Sequence, residues 1–410
     1  RRWRQSLVTL SSSSLQSPSS YSLSTSLSLL TFFLEATYKG GKPIWECLSL
    51  VNPALFCVGK HDHTRKKEVL LKGILLINLG TPDEATVPAV RRYLREFLSD
   101  PYVIDINPIS RWLLVNLIIA PFRSPKSTKA YQKVWTDEGS PLMIHTVHLQ
   151  EKLQALVGEE TKVAIGMRYG NPSIASGVKD LRDCDEIFAV PLYPQYAGAT
   201  TQTVLDKLDE AIKAHHPNAR VHSLPPFYED HHYINATASV TKAHLQDFDY
   251  DHVLMSYHGL PVHQLPCAHD TNHECVQKQT PCPKVFDTYP NCYRAHCYAT
   301  SRALAEALNI PEDKFSVSFQ SRLGKTPWIQ PYTDEHVEAL LEKGVKRLAV
   351  LCPSFVADCL ETIEEIGMEV RDEFLEGGGE AYRLIPCINS DDAWVSALHE
   401  MLTTFEASLS

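Results

Sequence analysis

Val253-Leu254-Met255-Ser256-Tyr257-His258-Gly259-Leu260-Pro261 is an apolar run that stops on a histidine, a glycine and a proline. A second run, Leu348-Ala349-Val350-Leu351, stops on Cys352-Pro353-Ser354-Phe355 and leads into Asp358-Cys359-Leu360-Glu361-Thr362. Short apolar runs ended by Gly or Pro read as buried parallel strands, and in open α/β sheets ligands sit beyond the carboxyl ends of such strands. The two endings therefore predict an imidazole and a carboxylate that face one cleft.

Outward from these, runs at 73–80, 162–167, 186–192, 220–224, 314–319 and 382–387 have the same character, and helical periodicity fills most of the intervals, as over 87–98. Strands alternating with helices predict an α/β protein with parallel sheets covered on both faces. The halves also echo each other. Gly166-Met167-Arg168-Tyr169-Gly170-Asn171-Pro172 corresponds to Ser318-Phe319-Gln320-Ser321-Arg322-Leu323-Gly324, and Pro191-Leu192-Tyr193-Pro194-Gln195-Tyr196 to Cys352-Pro353-Ser354-Phe355. One repeat of about 160 residues predicts two similar Rossmann-like domains around a common cleft. We expect them at 67–240 and 241–410, the second carrying a cysteine-rich insert at 262–297.

With 410 residues, 44% hydrophobic and 21% charged, the chain can bury two ordinary cores. A formal net charge of -10 without a basic stripe excludes nucleic acid as partner. Five of the 11 cysteines fall between Cys267 and Cys297, which points to a local metal site in a reducing compartment more than to a disulfide framework. No apolar run reaches the roughly 18–20 residues of a membrane-spanning helix. The nearest, at 112–120, is predicted by periodicity to be a core helix; the alternative is a lip that admits an apolar ligand or touches a membrane surface. Residues 1–66 are Ser- and Leu-rich, with Arg1, Arg2 and Arg4 and no acid before Glu35. They read as a disordered or non-native extension, or as an organellar transit peptide, and otherwise the chain is expected in the cytoplasm.

Glu361, Glu365 and Glu369 are spaced by four, which puts them on one face of a helix. Like charges so placed repel unless a cation or protons occupy them; a solvated face is the alternative. His258 at a strand end either satisfies itself on backbone carbonyls or accepts a proton or a metal near neutral pH.

Residues 73–405 resemble ferrochelatases, the enzymes that insert ferrous iron into protoporphyrin IX. The likeness rests on Ile77-Asn78-Leu79-Gly80-Thr81-Pro82-Asp83, Arg123-Ser124-Pro125-Lys126-Ser127, Gly139-Ser140-Pro141-Leu142 and Met167-Arg168-Tyr169-Gly170. It continues through Tyr193-Pro194-Gln195-Tyr196, Ser256-Tyr257-His258-Gly259-Leu260-Pro261, Ser321-Arg322-Leu323-Gly324 with Pro327-Trp328, and Ala357-Asp358-Cys359-Leu360-Glu361-Thr362, in order. The resemblance implies the chelatase fold and a lyase of haem biosynthesis that acts on protoporphyrin and Fe2+. It makes His258 and Glu361 the catalytic, iron-site pair and Glu365 and Glu369 a path for metal or protons. Leu79, Arg168, Tyr169 and Tyr193 become porphyrin-pocket residues. Segment 112–120 falls in the pocket lip, where peripheral membrane contact is expected. Arg168 could steer a propionate or make a structural ion pair, and the tyrosines could stack on the macrocycle or fill core. Some relatives carry a histidine where this chain has Cys359, which tells against a two-histidine iron site.

Cys267, Cys275, Cys282, Cys292 and Cys297 lie in a stretch rich in Pro, His and Asn, without periodicity for a core of its own. Four thiolates suit a [2Fe-2S] cluster or a structural zinc, and spacing does not choose; free surface thiols are the bland reading. Animal-type relatives use a cysteine where this chain has Gly198, together with a C-terminal extension, so their cluster is not expected. Some bacterial relatives carry an internal cysteine cluster, and on that likeness we expect [2Fe-2S] on Cys267, Cys275, Cys282 and Cys292, with Cys297 as rival for the last place. Two other readings are a two-lobed haem-binding protein without chemistry and a cobalt or nickel chelatase of the same fold.

Overall fold

The structure, a computed structural model, describes residues 71–270, 280–324 and 326–409. The expectation for 1–66, and Cys275, lie outside the described residues. Eight strands form two four-stranded, all-parallel sheets. The first holds β1 (Lys72–Asn78), β2 (Thr161–Met167), β3 (Glu186–Pro191) and β4 (Arg220–Ser223), in the order β2-β1-β3-β4. The second holds β5 (His252–His258), β6 (Phe315–Gln320), β7 (Arg347–Leu351) and β8 (Ala381–Leu384), in the order β6-β5-β7-β8. The two orders are one permutation, so the echo in the sequence is an echo in topology.

The strand bounds follow the apolar runs closely because the central strands are buried on both faces. In β1, Ile74 and Leu76 enter one core while Leu75 and Ile77 enter another. In β5, Val253, Met255 and Tyr257 join the core of Ile74, and Leu254 packs on the far face. A strand covered on both faces loses its alternation and reads as a continuous apolar run. The repeat extends to hydrogen bonds: Met167 N donates to the Pro172 carbonyl at 2.6 Å, and Phe319 N donates to the Pro331 carbonyl at 2.8 Å.

The connecting helices are α1 (Val87–Leu98), α2 (Pro108–Leu113), α3 (Ala120–Val134), α4 (Pro141–Val157), α5 (Ile174–Asp180) and α6 (Thr203–His215). They continue with α7 (His231–Leu245), α8 (Tyr293–Leu308), α9 (Thr333–Glu342), α10 (Arg371–Glu376) and α11 (Asp392–Ser408). The central core takes Leu149 and Leu153 from α4, Tyr233 from α7 and Leu304 from α8. It also takes Trp394 and Leu398 from α11, and so spans both sheets. Helix α11 returns to the first half, where Phe405 packs edge-on against Phe188 and Glu406 pairs with Lys72.

Two expectations change. Segment 112–120 is not a core helix: Val115 and Ala120 are buried, but Trp112, Leu117 and Ile118 are each more than half exposed, beside exposed Ile109 and Phe122. Apolar periodicity reports which side chains share a face and not whether another element covers it. The acidic ladder does not lie on an α-helix. Glu361–Val370 is π-helical, as are Leu114–Ile119 and Gly198–Gln202. In the wider π turn a step of four falls short of a full turn instead of past it, so the three acids still share a face, but with the opposite drift.

Candidate active site

In both sheets the strand order reverses between the first and third strands, and the cleft is built where these two reversals face each other, as expected for open α/β sheets. From the first sheet come Asn78 at the end of β1, Leu79 after it, and Leu192 and Tyr193 after β3; from the second come His258 at the end of β5 and, after β7, residues 354–357 and 359–361. Tyr93 and Phe97 of α1, Tyr131 of α3, Tyr293 of α8 and Trp328 close the apolar walls.

His258 is the last residue of β5, and Gly259 lets it end there. A Cβ on Gly259 would stand 2.8 Å from the Gln320 carbonyl that its own N–H bonds at 2.8 Å. The same holds at the first sheet, where Gly80 has φ of 106° and a Cβ would collide with the Tyr169 carbonyl. The His258 amide donates to Ser354 Oγ at 3.2 Å, and its carbonyl accepts from the Tyr293 hydroxyl at 2.8 Å. Its Nδ1 lies 2.7 Å from the Gly259 carbonyl. A carbonyl only accepts, so the proton belongs on Nδ1 and Nε2 carries the lone pair. The ring stands between Trp328 and Phe355, each 6.4 Å away centroid to centroid.

Glu361 opens the π-helix at the cleft, where the helix N-terminus favours a carboxylate. The loop before it is pinned. Asp358 accepts from Thr362 Oγ1 at 3.0 Å and from Asn389 Nδ2 at 2.8 Å, and the buried Gln320 amide donates to the Glu361 carbonyl at 3.3 Å. Cys359 lines the cleft, and burial followed by the Glu361 charge holds its thiol well above the ordinary range. Glu365 sits one turn deeper and accepts from the Ser321 amide at 2.7 Å and from the Ser321 hydroxyl. Burial nonetheless raises its carboxyl, so it holds a proton more readily than a surface glutamate. Glu369 is exposed, so the ladder runs from cleft to solvent. Glu364 is buried on another side of the same helix and bonded to Lys133 Nζ at 2.6 Å.

Of the residues singled out in the sequence, the structure brings His258, Glu361, Leu79 and Tyr193 to one cavity. The Tyr193 hydroxyl is buried with no hydrogen-bond partner among the described residues. Arg168 and Tyr169 are not in the lining. Tyr169 is fully buried one layer back, edge-on to Phe97 at 5.0 Å, with its hydroxyl donating to Asp100 at 2.8 Å. Arg168 pairs with the same carboxylate and donates from Nε to Thr203 Oγ1 at 2.7 Å. Asp100 thus ties the end of α1 to β2 and α6 behind the cleft wall, which places Arg168 in a structural ion pair. Sequence reasoning gave no role to Asp100, Tyr93, Tyr131 or Tyr293, which lie on helices or in a loop without a motif of their own. Trp328 and Ser140 were inside quoted motifs but carried no assignment.

His296 is buried on α8. Its Nδ1 accepts from the Tyr196 amide at 3.2 Å and its Nε2 donates to the Pro290 carbonyl at 2.6 Å, while burial pulls its pKa down to about 4. Nearby, Cys267 and Cys292 are buried with their sulfurs 3.6 Å apart, and Arg294 Nη1 lies 3.0 Å from the sulfur of buried Cys282. Cys297 is fully buried one turn along α8.

A cleft that holds a base of fixed tautomer and a carboxylate leading out to solvent, inside walls of aromatic residues, defines a class: enzymes that exchange protons for a metal ion on a bound apolar ligand. A family model described as Ferrochelatase matches residues 71–405. A ferrochelatase of Legionella pneumophila (strain Corby) is 45% identical over 331 residues, 81% of this chain and 98% of its own. One of Coxiella burnetii (strain Dugway 5J108-111) is 44% identical over 80% of this chain and 92% of its own. Among solved structures, SirB from Bacillus subtilis with Fe3+ aligns over 82% of the chain and 97% of its own at a TM-score of 0.47 and 12% identity. The chain belongs to the ferrochelatase family, the lyases that insert ferrous iron into a porphyrin in haem synthesis.

Proposed function

We propose that the chain inserts ferrous iron into protoporphyrin IX with His258 as the acceptor of the pyrrole protons and Glu361 as the first carboxylate to meet the iron. The observation that carries this is the commitment of His258 Nδ1 to the Gly259 carbonyl, which leaves Nε2 as a base inside the same cavity as Glu361. The two N–H protons of a flat porphyrin block the approach of metal to its four nitrogens. Aromatic walls from both sheets favour a bent ring, which directs binding energy to the transition state. Leu79 and Tyr193 bear on the macrocycle, and the unpartnered Tyr193 hydroxyl is a group that a polar edge of the ligand satisfies. Protons pass from His258 and Glu361 to Glu365, whose raised pKa suits a relay, and leave at exposed Glu369. Arg168 and Tyr169 act behind the wall by fixing Asp100.

The cavity measures about 160 Å³ and shares Ala197, Ala199, Leu260, Gln264 and Tyr293 with an adjoining cavity of about 530 Å³. We assign the exposed Trp112, Leu117, Ile118 and Phe122 to the lip of the cleft and to contact with a membrane surface from a cytoplasmic location. No helix among the described residues is long and apolar enough to cross a membrane. Co-sedimentation of the protein with phospholipid vesicles, weakened in Trp112→Glu, is the expected result; equal pelleting of both proteins removes the assignment. The division into chelatase domains at 67–240 and 241–410 rests on the two matching sheets, with α11 packed across it.

For the insert we propose a [2Fe-2S] cluster on Cys267, Cys282 and Cys292 with Cys275, structural zinc being the rival. The Cys267 and Cys292 sulfurs, at 3.6 Å, are too far apart for a disulfide of about 2.05 Å and near the spacing of about 3.8 Å that two thiolates take on one tetrahedral metal. Arg294 supplies positive charge at the Cys282 sulfur, which favours the thiolate. A cluster here would staple a loop that has no core of its own. Anaerobically purified protein is expected to show visible charge-transfer bands that are lost in Cys292→Ser; a colourless protein with bound zinc overturns the assignment.

Purified protein incubated anaerobically with protoporphyrin and Fe2+ tests the reaction itself. Protohaem is the expected product, and protein that binds haem but forms none from these substrates is a carrier.

A further inference from the structure

His258 ends β5 beside Gln320, which ends β6, and the two are the last pair of that ladder. The end of β6 also meets the helix of the acids. The Gln320 carbonyl accepts from the Gly259 amide at 2.8 Å, and Gly259 is the residue whose own carbonyl fixes His258 Nδ1. The Gln320 side chain donates from Nε2 to the Glu361 carbonyl at 3.3 Å. Ser321, next along, donates its amide to Glu365 Oε1 at 2.7 Å and its hydroxyl to Glu365 Oε2. Ser321 has φ of 66°, a left-handed backbone that a residue with a Cβ rarely adopts and that persists only where its surroundings fix it. Two adjacent residues thus touch the base strand, Glu361 and Glu365, yet neither lines the cavity.

A buried hydrogen-bond chain orients the Gln320 amide. Ser256 Oγ donates to Gln320 Oε1 at 2.7 Å, so in its other contact, with Thr333 Oγ1 at 3.0 Å, Thr333 is the donor. Thr333 Oγ1 in turn accepts from Ser318 Oγ at 2.9 Å. Each hydroxyl gives its one proton forward, and all four side chains are buried. With Oε1 committed to Ser256, Nε2 is left for Glu361. Hydrogen bonds aligned head to tail strengthen one another in a low dielectric, so the chain ends on the Glu361 backbone as a stiff support.

We propose that Gln320 is a positioning residue for iron insertion, holding the His258 strand end and the start of the Glu361 helix at one separation through its two arms, with Ser321 extending the grip to Glu365. This rests on the reading of His258 and Glu361 as the reacting pair. In the echo between the halves the residue that matches Gln320 is Arg168, whose side chain is committed to Asp100 behind the wall. The second half spends the same strand end on the residues that react.

Gln320→Met keeps the main-chain arm and the bulk but removes the side-chain arm. Initial rates of protohaem formation, counted per site by fluorescence titration of the same sample with protoporphyrin, are expected to show kcat lowered about 10- to 100-fold and KM for porphyrin within about twofold of wild type. Gln320→Glu supplies a readout that a merely structural role does not move. Its carboxylic acid can donate to the Glu361 carbonyl and its carboxylate cannot, so its rate is expected to approach wild type at acid pH and to fall to that of Gln320→Met as pH rises. Ser256→Ala leaves Gln320 in place but frees its amide to turn, and is expected to lower kcat about threefold. Gln320→Met with wild-type kcat per site overturns the proposal, as does a Gln320→Glu rate whose ratio to wild type is the same at every pH. If Gln320→Met does not fold, Ser256→Ala decides in its place, with wild-type kcat as the overturning result. His258→Ala run alongside keeps the two readings apart. An unaltered rate there removes the reacting pair, whereas a slowed His258→Ala beside an unaltered Gln320→Met removes only the positioning role.

Discussion

His258→Ala is expected to slow iron insertion by about 10²- to 10⁴-fold, the usual worth of a positioned general base, with little change in porphyrin affinity. The wall aromatics Trp328 and Phe355 remain to hold the ligand. The fold should survive, because His258 is partly exposed and its side chain bonds only the carbonyl of its neighbour, which water can replace. Initial rates of metalloporphyrin formation at several porphyrin concentrations separate the two effects. If the rate were unaltered, the proton-acceptor role would fall; if KM rose with kcat unchanged, His258 would be a binding group only.

Arg168→Ala is expected to cost about 3–5 kcal/mol of stability, because it leaves the Asp100 carboxylate buried without its cation. The Asp100 side chain is 1% exposed and that of Arg168 is 14% exposed, so solvent cannot take the place of the partner. Tyr169 and Thr203 remain as neutral donors to the same oxygen and do not cancel its charge. Urea denaturation measures the loss, and the double variant Asp100→Leu/Arg168→Met is expected to regain most of it, since both charges then leave together. A variant Arg168→Ala as stable as wild type but with a raised KM for porphyrin would return Arg168 to the propionate role.

These two residues show how legibility divides. His258 closes a strand whose neighbours Val253, Met255 and Tyr257 are buried on one face and Leu254 on the other, so the end of the apolar run marks the end of the strand in the sequence itself. Arg168 follows a strand in the same way, yet its use depends on Asp100, which sits 68 positions earlier at the end of α1. Nothing local marks Asp100, because a buried acid and a surface acid have the same letter. The acids at 361, 365 and 369 were readable as a ladder, but not the π-helix that carries them. Glu364 fell outside the pattern and is the one held by Lys133. The run at 112–120 carried the right period for a helix and the wrong expectation for its environment, because Trp112, Leu117 and Ile118 face outward.

By itself the sequence determined the parallel α/β class, the two matching halves and the facing of His258 and Glu361 onto one cleft, since these follow from short-range patterns: apolar runs and their Gly and Pro stops. The tertiary structure decided what long-range contact alone can decide. It placed the reversal points of both sheets against each other, withdrew Arg168 and Tyr169 behind the wall, and brought Cys267 to Cys292 and His232 to Glu400. A strand's end is written in its own residues. The partner of a buried charge or thiol is set by chain closure over tens to hundreds of residues, which no local pattern records.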